Sequence, residues 1–159
     1  APRLRLDLSV NILTNLALQK GEITVFGGSQ LRPNLHVQDY CDAVEMFLKV
    51  SEEKIENKIF NIGYENLSIM EIAKLVQKVV SEEFPEKQNI KIIKSESDDL
   101  RSYHINSDKI KNELNFKPRF SVEDAIRDLC NAYRNNSYSN SLEDDIYYNV
   151  KRLKRLGVK

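Results

Sequence analysis

Arg32 is the residue whose type and surroundings point most directly to chemistry. It follows the turn Gly27-Gly28-Ser29 by a few residues and precedes Pro33. A guanidinium beside a flexible turn and a rigid proline suits bidentate phosphate binding, because its planar fork matches two anionic oxygens. The same setting would also suit a surface salt bridge. Arg101 follows the acidic pair Asp98-Asp99, and on physics alone local pairing with those carboxylates is the favoured role. Asn11 interrupts an amphipathic pattern, so its amide is either exposed or aimed at a ligand. Phe26 closes an apolar run, where its ring fills a core or stacks on a planar partner.

Recognised catalytic motifs are missing from the sequence. It contains no glycine-rich dinucleotide loop, P-loop, H-E-x-x-H or nucleophile elbow. His36, between Leu35 and Val37, and His104, after Tyr103, read as structural. Cys41 and Cys130 read as small apolar core residues and are too few for a disulfide scaffold or a thiolate zinc site. A tyrosine with lysine four residues on occurs only at Tyr147 and Lys151, in the tail. No catalytic, cofactor-binding or metal-binding residue is therefore assigned within the chain.

The elements that must position these groups alternate between helix and strand, which predicts an α/β fold. A helix is expected over Leu8–Lys20, stopped by Gly21, then a strand over Glu22–Phe26 ended by Gly27-Gly28. Leu35-His36-Val37 reads as a short strand. Asp39 reads as a cap for a helix over Tyr40–Val50, with Ala43, Val44, Phe47 and Leu48 inward. Lys58–Ile62 reads as a strand closed by Gly63. Ser68 with Glu71 and Ser121 with Asp124 have capping-box spacing and open helices. Asn89–Lys94 reads as a strand, and Ser107–Leu114 as a short helix ended before Pro118. Residues 135–141 are rich in Ser and Asn and read as a linker. Residues 142–159 read as an amphipathic helix whose Ile146, Val150 and Leu153 stripe packs on the main body or a partner.

The 159 residues carry 24 basic and 24 acidic side chains. Neutral balance removes the electrostatic case for a nucleic-acid partner, and no apolar window is long enough for a membrane span. No signal-peptide pattern is present, so the expected location is cytoplasmic.

A series of motifs resembles a known family. Asn11 is followed by Ile23-Thr-Val-Phe-Gly27 and Gln30-Leu-Arg-Pro-Asn-Leu-His-Val-Gln-Asp39. Next come Phe60-Asn-Ile-Gly63, Asn66-Leu-Ser-Ile-Met-Glu71, Asp99-Leu-Arg-Ser-Tyr103 and Leu114-Asn-Phe-Lys-Pro118. In this order, over residues 1–134, the chain resembles the C-terminal, substrate-binding region of NAD(P)-dependent nucleotide-sugar epimerases and dehydratases, the extended short-chain dehydrogenase/reductases. The resemblance implies a lobe that lacks the glycine-rich, N-terminal cofactor half and its Tyr-x-x-x-Lys group. NAD or NADP is then expected in a full-length parent rather than here.

The resemblance also implies roles for individual residues. Arg32 matches the arginine that grips the sugar-nucleotide diphosphate, and Asn11 an asparagine approaching the nucleotide. Ile23, Val25 and Phe26 match the segment packing on the base, mostly through backbone and the Phe26 ring. Asn66 matches a nucleotide-contacting position. Many members place a second diphosphate arginine where this chain has Ser95-Glu-Ser97, so that role either moves to Arg101 or is lost. His36 and Asp39 match family letters at a strand-to-helix corner.

The expected partners are a nucleotide-diphosphate sugar and a missing cofactor domain, with self-association through the surface left bare. On this reading the chain is a truncated or separately encoded part, inactive alone. The competing reading is a non-enzymatic module that binds sugar nucleotides or pairs with a separate cofactor-domain chain.

Overall fold

The computed structural model describes residues 3–97 and 101–158. Helix α1 spans Ser9–Lys20 and ends at Gly21, whose φ of 65° is the left-handed conformation glycine adopts readily. Strand β1, Glu22–Phe26, follows at once, and the turn at Gly27-Gly28 returns the chain into β2, Leu31–Asn34. Next come α2, Val37–Lys49, then β3, Glu65–Ser68, and α3, Ile69–Glu83. Strand β4, Lys91–Ser95, precedes α4, Asp108–Leu114, α5, Val122–Arg134, and α6, Asn149–Arg155. Both capping boxes form: Ser68 with Glu71 and Ser121 with Asp124 exchange side-chain and main-chain hydrogen bonds, fixing where α3 and α5 begin.

The strands form two small sheets. β1 pairs with β4 in parallel, Ile23 opposite Ile92, and β2 pairs with β3 antiparallel, Arg32 opposite Leu67. Helices α1, α3 and α5 pack together over the inner face of β1. Leu13, Ala17 and Leu18 meet Ile23, Val25, Ile72, Val76, Val80, Ile126 and Cys130 in the main core. Each fully buried Val, Leu or Ile there contributes about 1.5–3 kcal/mol. A smaller cluster joins α2 and α4 through Ala43, Ile110 and Phe116, with Phe47 and Phe60 against it.

Several expectations are corrected. Leu35-His36-Val37 is not a strand: His36 caps α2, its Nδ1 accepting the Gln38 N–H at 3.1 Å. Asp39 lies inside the first turn rather than at the cap. Its buried carboxylate accepts the Arg119 and Phe120 N–H groups at 2.9 and 3.0 Å, tethering the approach to α5. On α2, Ala43 is buried, but Val44 and Leu48 face outward, Leu48 at 82% exposure. Lys58–Ile62 forms no strand because no partner strand lies beside it among the described residues. Lys109 Nζ instead takes the Ile59 carbonyl at 2.9 Å.

The tail also differs. Only Asn149–Arg155 is α-helical, and Val150 and Leu153 are exposed. The tail docks instead through buried Tyr147, whose carbonyl accepts the Leu6 N–H, while the Asn149 N–H reaches the Asp7 carboxylate.

Candidate functional site

The turn between β1 and β2 is built by Gln30. Its buried Oε1 accepts the Gly28 N–H at 2.7 Å and its Nε2 donates to the Phe26 carbonyl at 3.3 Å. This clamp needs glycine at 27, where φ is 72° and a Cβ would run into the Gln30 amide. At one end of the turn Phe26 projects with 59% exposure, while Ile23 and Val25 are fully buried. Of the three residues expected to pack on the base, therefore, only Phe26 offers its side chain to a ligand. At the other end Arg32 enters β2.

The Arg32 guanidinium is held firmly. Nη1 donates to the Leu31 carbonyl at 2.9 Å and to the Arg101 carbonyl at 2.8 Å, and Cζ lies 5.3 Å from the Tyr103 ring centre. The segment 101–103 runs along β2. The Tyr103 N–H donates to the Leu31 carbonyl at 3.1 Å, and Ser102 Oγ accepts the Leu31 N–H at 2.9 Å. Arg32 and Arg101 are thus brought together, and Arg101 is exposed beside this segment. The acidic pair Asp98-Asp99 expected to hold Arg101 lies outside the described residues.

Asn66 lies opposite Pro33 in the β2–β3 register. Its amide is engaged in both directions, Oδ1 accepting the Ile105 N–H at 2.9 Å and Nδ2 donating to the Ile105 carbonyl at 3.0 Å. That clamp walls an open cleft of about 580 Å³ that Tyr64, His104, Lys111 and Phe116 also line. Asn11 is half-buried and donates to the Arg5 carbonyl at 2.9 Å.

Sequence reasoning missed Gln30, Ser102 and Tyr103. The signal for Tyr103 was its place two residues after Arg101, but nothing local showed that the segment would lie against β2. The match at Tyr147 and Lys151 gives no paired geometry. Tyr147 is buried and donates to the Ser139 carbonyl at 3.1 Å, while Lys151 Nζ sits over the Tyr148 ring. Among the described residues no group of three or more His, Cys, Asp or Glu could hold a metal ion. No helix there is long and apolar enough to cross a membrane.

This arrangement has the fold of known sugar-nucleotide enzymes. The UDP-glucose 4-epimerase of Thermotoga maritima, solved with UDP-glucose, superposes with a TM-score of 0.66 at 22% identity over 81% of this chain and 40% of that one. The dTDP-glucose 4,6-dehydratase of Bacillus anthracis, solved with NAD, gives 0.63 at 21% identity over 84% and 41%. Among sequences, UDP-glucose 4-epimerase 2 of Arabidopsis thaliana is 26% identical over 76% of this chain and 36% of its own length. The dTDP-glucose 4,6-dehydratase of Shigella flexneri is 29% identical over 76% and 34%.

Fold and motif order together define the class as a region of an extended short-chain dehydrogenase/reductase of the epimerase/dehydratase type. More particularly, residues 6–129 match the GDP-mannose 4,6 dehydratase family, and the chain belongs to it. It spans about a third of the length of the curated relatives it matches.

Proposed function

We propose that this chain forms the nucleotide-sugar-binding, C-terminal part of an NAD(P)-dependent sugar epimerase or dehydratase. One observation carries the reading: Arg32, the residue matching the family's diphosphate arginine, is locked by two main-chain carbonyls and a ring at the mouth of the Gly27-Gly28 turn. A guanidinium held in place loses less freedom on gripping a diphosphate than a mobile one. The Phe26 ring, exposed at the far end of the same turn, offers a face to the base.

Redox chemistry on the sugar then needs a cofactor domain, and α2 supplies the surface for it. Val37, Tyr40, Val44 and Leu48 form an exposed apolar stripe along that helix, and Ile59 on the adjoining segment is 83% exposed. Stripes of this size on a charged surface mark interaction sites. The occupant we assign is the cofactor-binding domain, since relatives of this chain extend well beyond the matched third.

Two measurements test this reading. Calorimetric titration with UDP- and dTDP-sugars should show binding that weakens in Arg32→Ala. The purified chain given NAD and the same sugars should form no NADH, whereas turnover by the 159 residues alone would overturn the assignment.

A further inference from the structure

We propose that the tail helix α6 is a surface for contact with an anionic lipid bilayer. Its charged and apolar sides are reversed relative to a helix packed on its own domain. Arg152 Nη1 and Arg155 Nε hold the Asp145 carboxylate at 3.4 and 2.5 Å, so the guanidinium side faces the chain. Val150 and Leu153 lie on the opposite side of the same helix. Val150 is 61% exposed, and Leu153, Leu156 and Val158 are exposed with it. A helix with nothing to meet turns its apolar stripe inward and its charges to water. The stripe continues past the helix end. Gly157, at φ 68°, closes a turn in which the Val158 N–H donates to the Leu153 carbonyl at 3.1 Å, folding Val158 back toward Leu153.

Two observations choose the occupant. The first is area. Four aliphatic side chains, about half exposed, offer roughly 100–250 Å², well short of the about 800 Å² per partner that a stable protein interface buries. A bilayer needs no such footprint, because aliphatic groups at the acyl boundary and cations among the headgroups suffice. The second is charge. Lys151 and Lys154 are exposed on α6, and Arg3 donates to Asn149 at its start. None of these three makes an ion pair among the described residues. The neighbouring carboxylates are engaged: Asp145 by two arginines, Asp144 by the Ile146 N–H, and Asp7 by the Asn149 N–H and Arg5. Glu143 is the tail's one acid without such a partner among the described residues. The contact lies along the bilayer, since no helix there is long and apolar enough to cross a membrane.

The chain contains no tryptophan, so Leu153→Trp supplies a single reporter within the stripe. At physiological ionic strength the chain should float with phosphatidylcholine vesicles that contain phosphatidylglycerol, and the tryptophan emission should shift to the blue. Vesicles of phosphatidylcholine alone should produce neither effect, and high salt should release the chain. Lys151→Gln and Lys154→Gln should each weaken binding about fivefold. Val150→Ser combined with Leu153→Ser should abolish flotation at an unchanged melting temperature, since both side chains are already exposed. Leu48→Trp, on the exposed stripe of α2, should show no shift.

Equal binding to neutral vesicles, or no binding to anionic ones, overturns the inference. So does a blue shift in Leu48→Trp without one in Leu153→Trp, which would put α2 on the lipid. If the chain stays off the vesicles but sediments as a dimer that the double serine change splits, the stripe belongs to a second copy and the inference falls.

Discussion

Ser141 donates its hydroxyl proton to Asn15 Oδ1 across 2.7 Å, and both residues are 1% exposed. This bond ties the stretch after α5 to the middle of α1, and Gln19 of α1 adds a second tie by donating to the Ser141 hydroxyl at 3.4 Å. The Asn15 Nδ2 group finds no hydrogen-bond acceptor among the described residues. Removing the serine hydroxyl would leave both ends of a buried amide unsatisfied. Ser141→Ala should therefore cost about 1–3 kcal/mol, read as a lower urea midpoint at unchanged slope. An unchanged midpoint would show that this bond contributes nothing to stability.

Binding variants should rank in a definite order. Charge-assisted hydrogen bonds contribute about 1.5–3 kcal/mol each, so Arg32→Ala should cost roughly ten- to a hundredfold in affinity for UDP- and dTDP-sugars. Arg32→Lys should recover only part, because an ammonium keeps the charge but loses the planar fork. Arg101→Ala should weaken binding less. The reverse ranking in calorimetry would mean that the diphosphate belongs to Arg101.

Acid should destabilise the chain. The Ser68 hydroxyl and main chain hold Glu71 below its ordinary value of 4.5, and those of Ser121 hold Asp124 below 3.8. Arg134 and Arg127 lower Glu83, and Arg127 lowers Glu123. A carboxylate depressed in the fold contributes stability that is present above its unfolded value and lost as pH falls through its folded one. Melting temperature should thus fall as pH drops below about 4.5, and more gently in Glu83→Gln. A melting temperature that rises between pH 5 and pH 3 would contradict the sign.

The two cysteines should react differently. Cys41 is exposed on α2, whereas Cys130 is buried in the main core, where burial pushes its thiol up to about 11. A disulfide exchange reagent at neutral pH should label one thiol per folded chain, and the second only after unfolding. Loss of the fast phase in Cys41→Ser would confirm the assignment, and two fast thiols in the folded chain would refute it.

What the sequence disclosed follows from how local each determinant is. The capping boxes at Ser68 and Ser121 lie within four residues and were legible, as were Gly21 and the alternation in β1. Strand β2 was not, because Pro33 cannot donate to a ladder and its pairing comes from β3, after all of α2. Asp39 resembled a cap because its partners, Arg119 and Phe120, lie 80 and 81 residues away. Lys58–Ile62 has strand composition, but composition cannot supply a partner. Arg32 stood out from its turn and its neighbours, whereas the ring over it could be found only once segment 101–103 was seen lying along β2.

The parallel pairing of β1 with β4 has a consequence for the order in which the chain can fold. The strand that β1 hydrogen-bonds to follows it in the chain only after β2, α2, β3 and α3. Closing that sheet means closing a long loop, and of the helices that cover β1 it holds α3, while α1 precedes the loop and α5 follows it. Ile23 and Val25 can pack on α1 and α3, which precede β4, while the main chain of β1 still waits for that strand. Pairing of the two strands is therefore a late event within this region, and a polypeptide stopped before Lys91 would lack the β4 partner of β1.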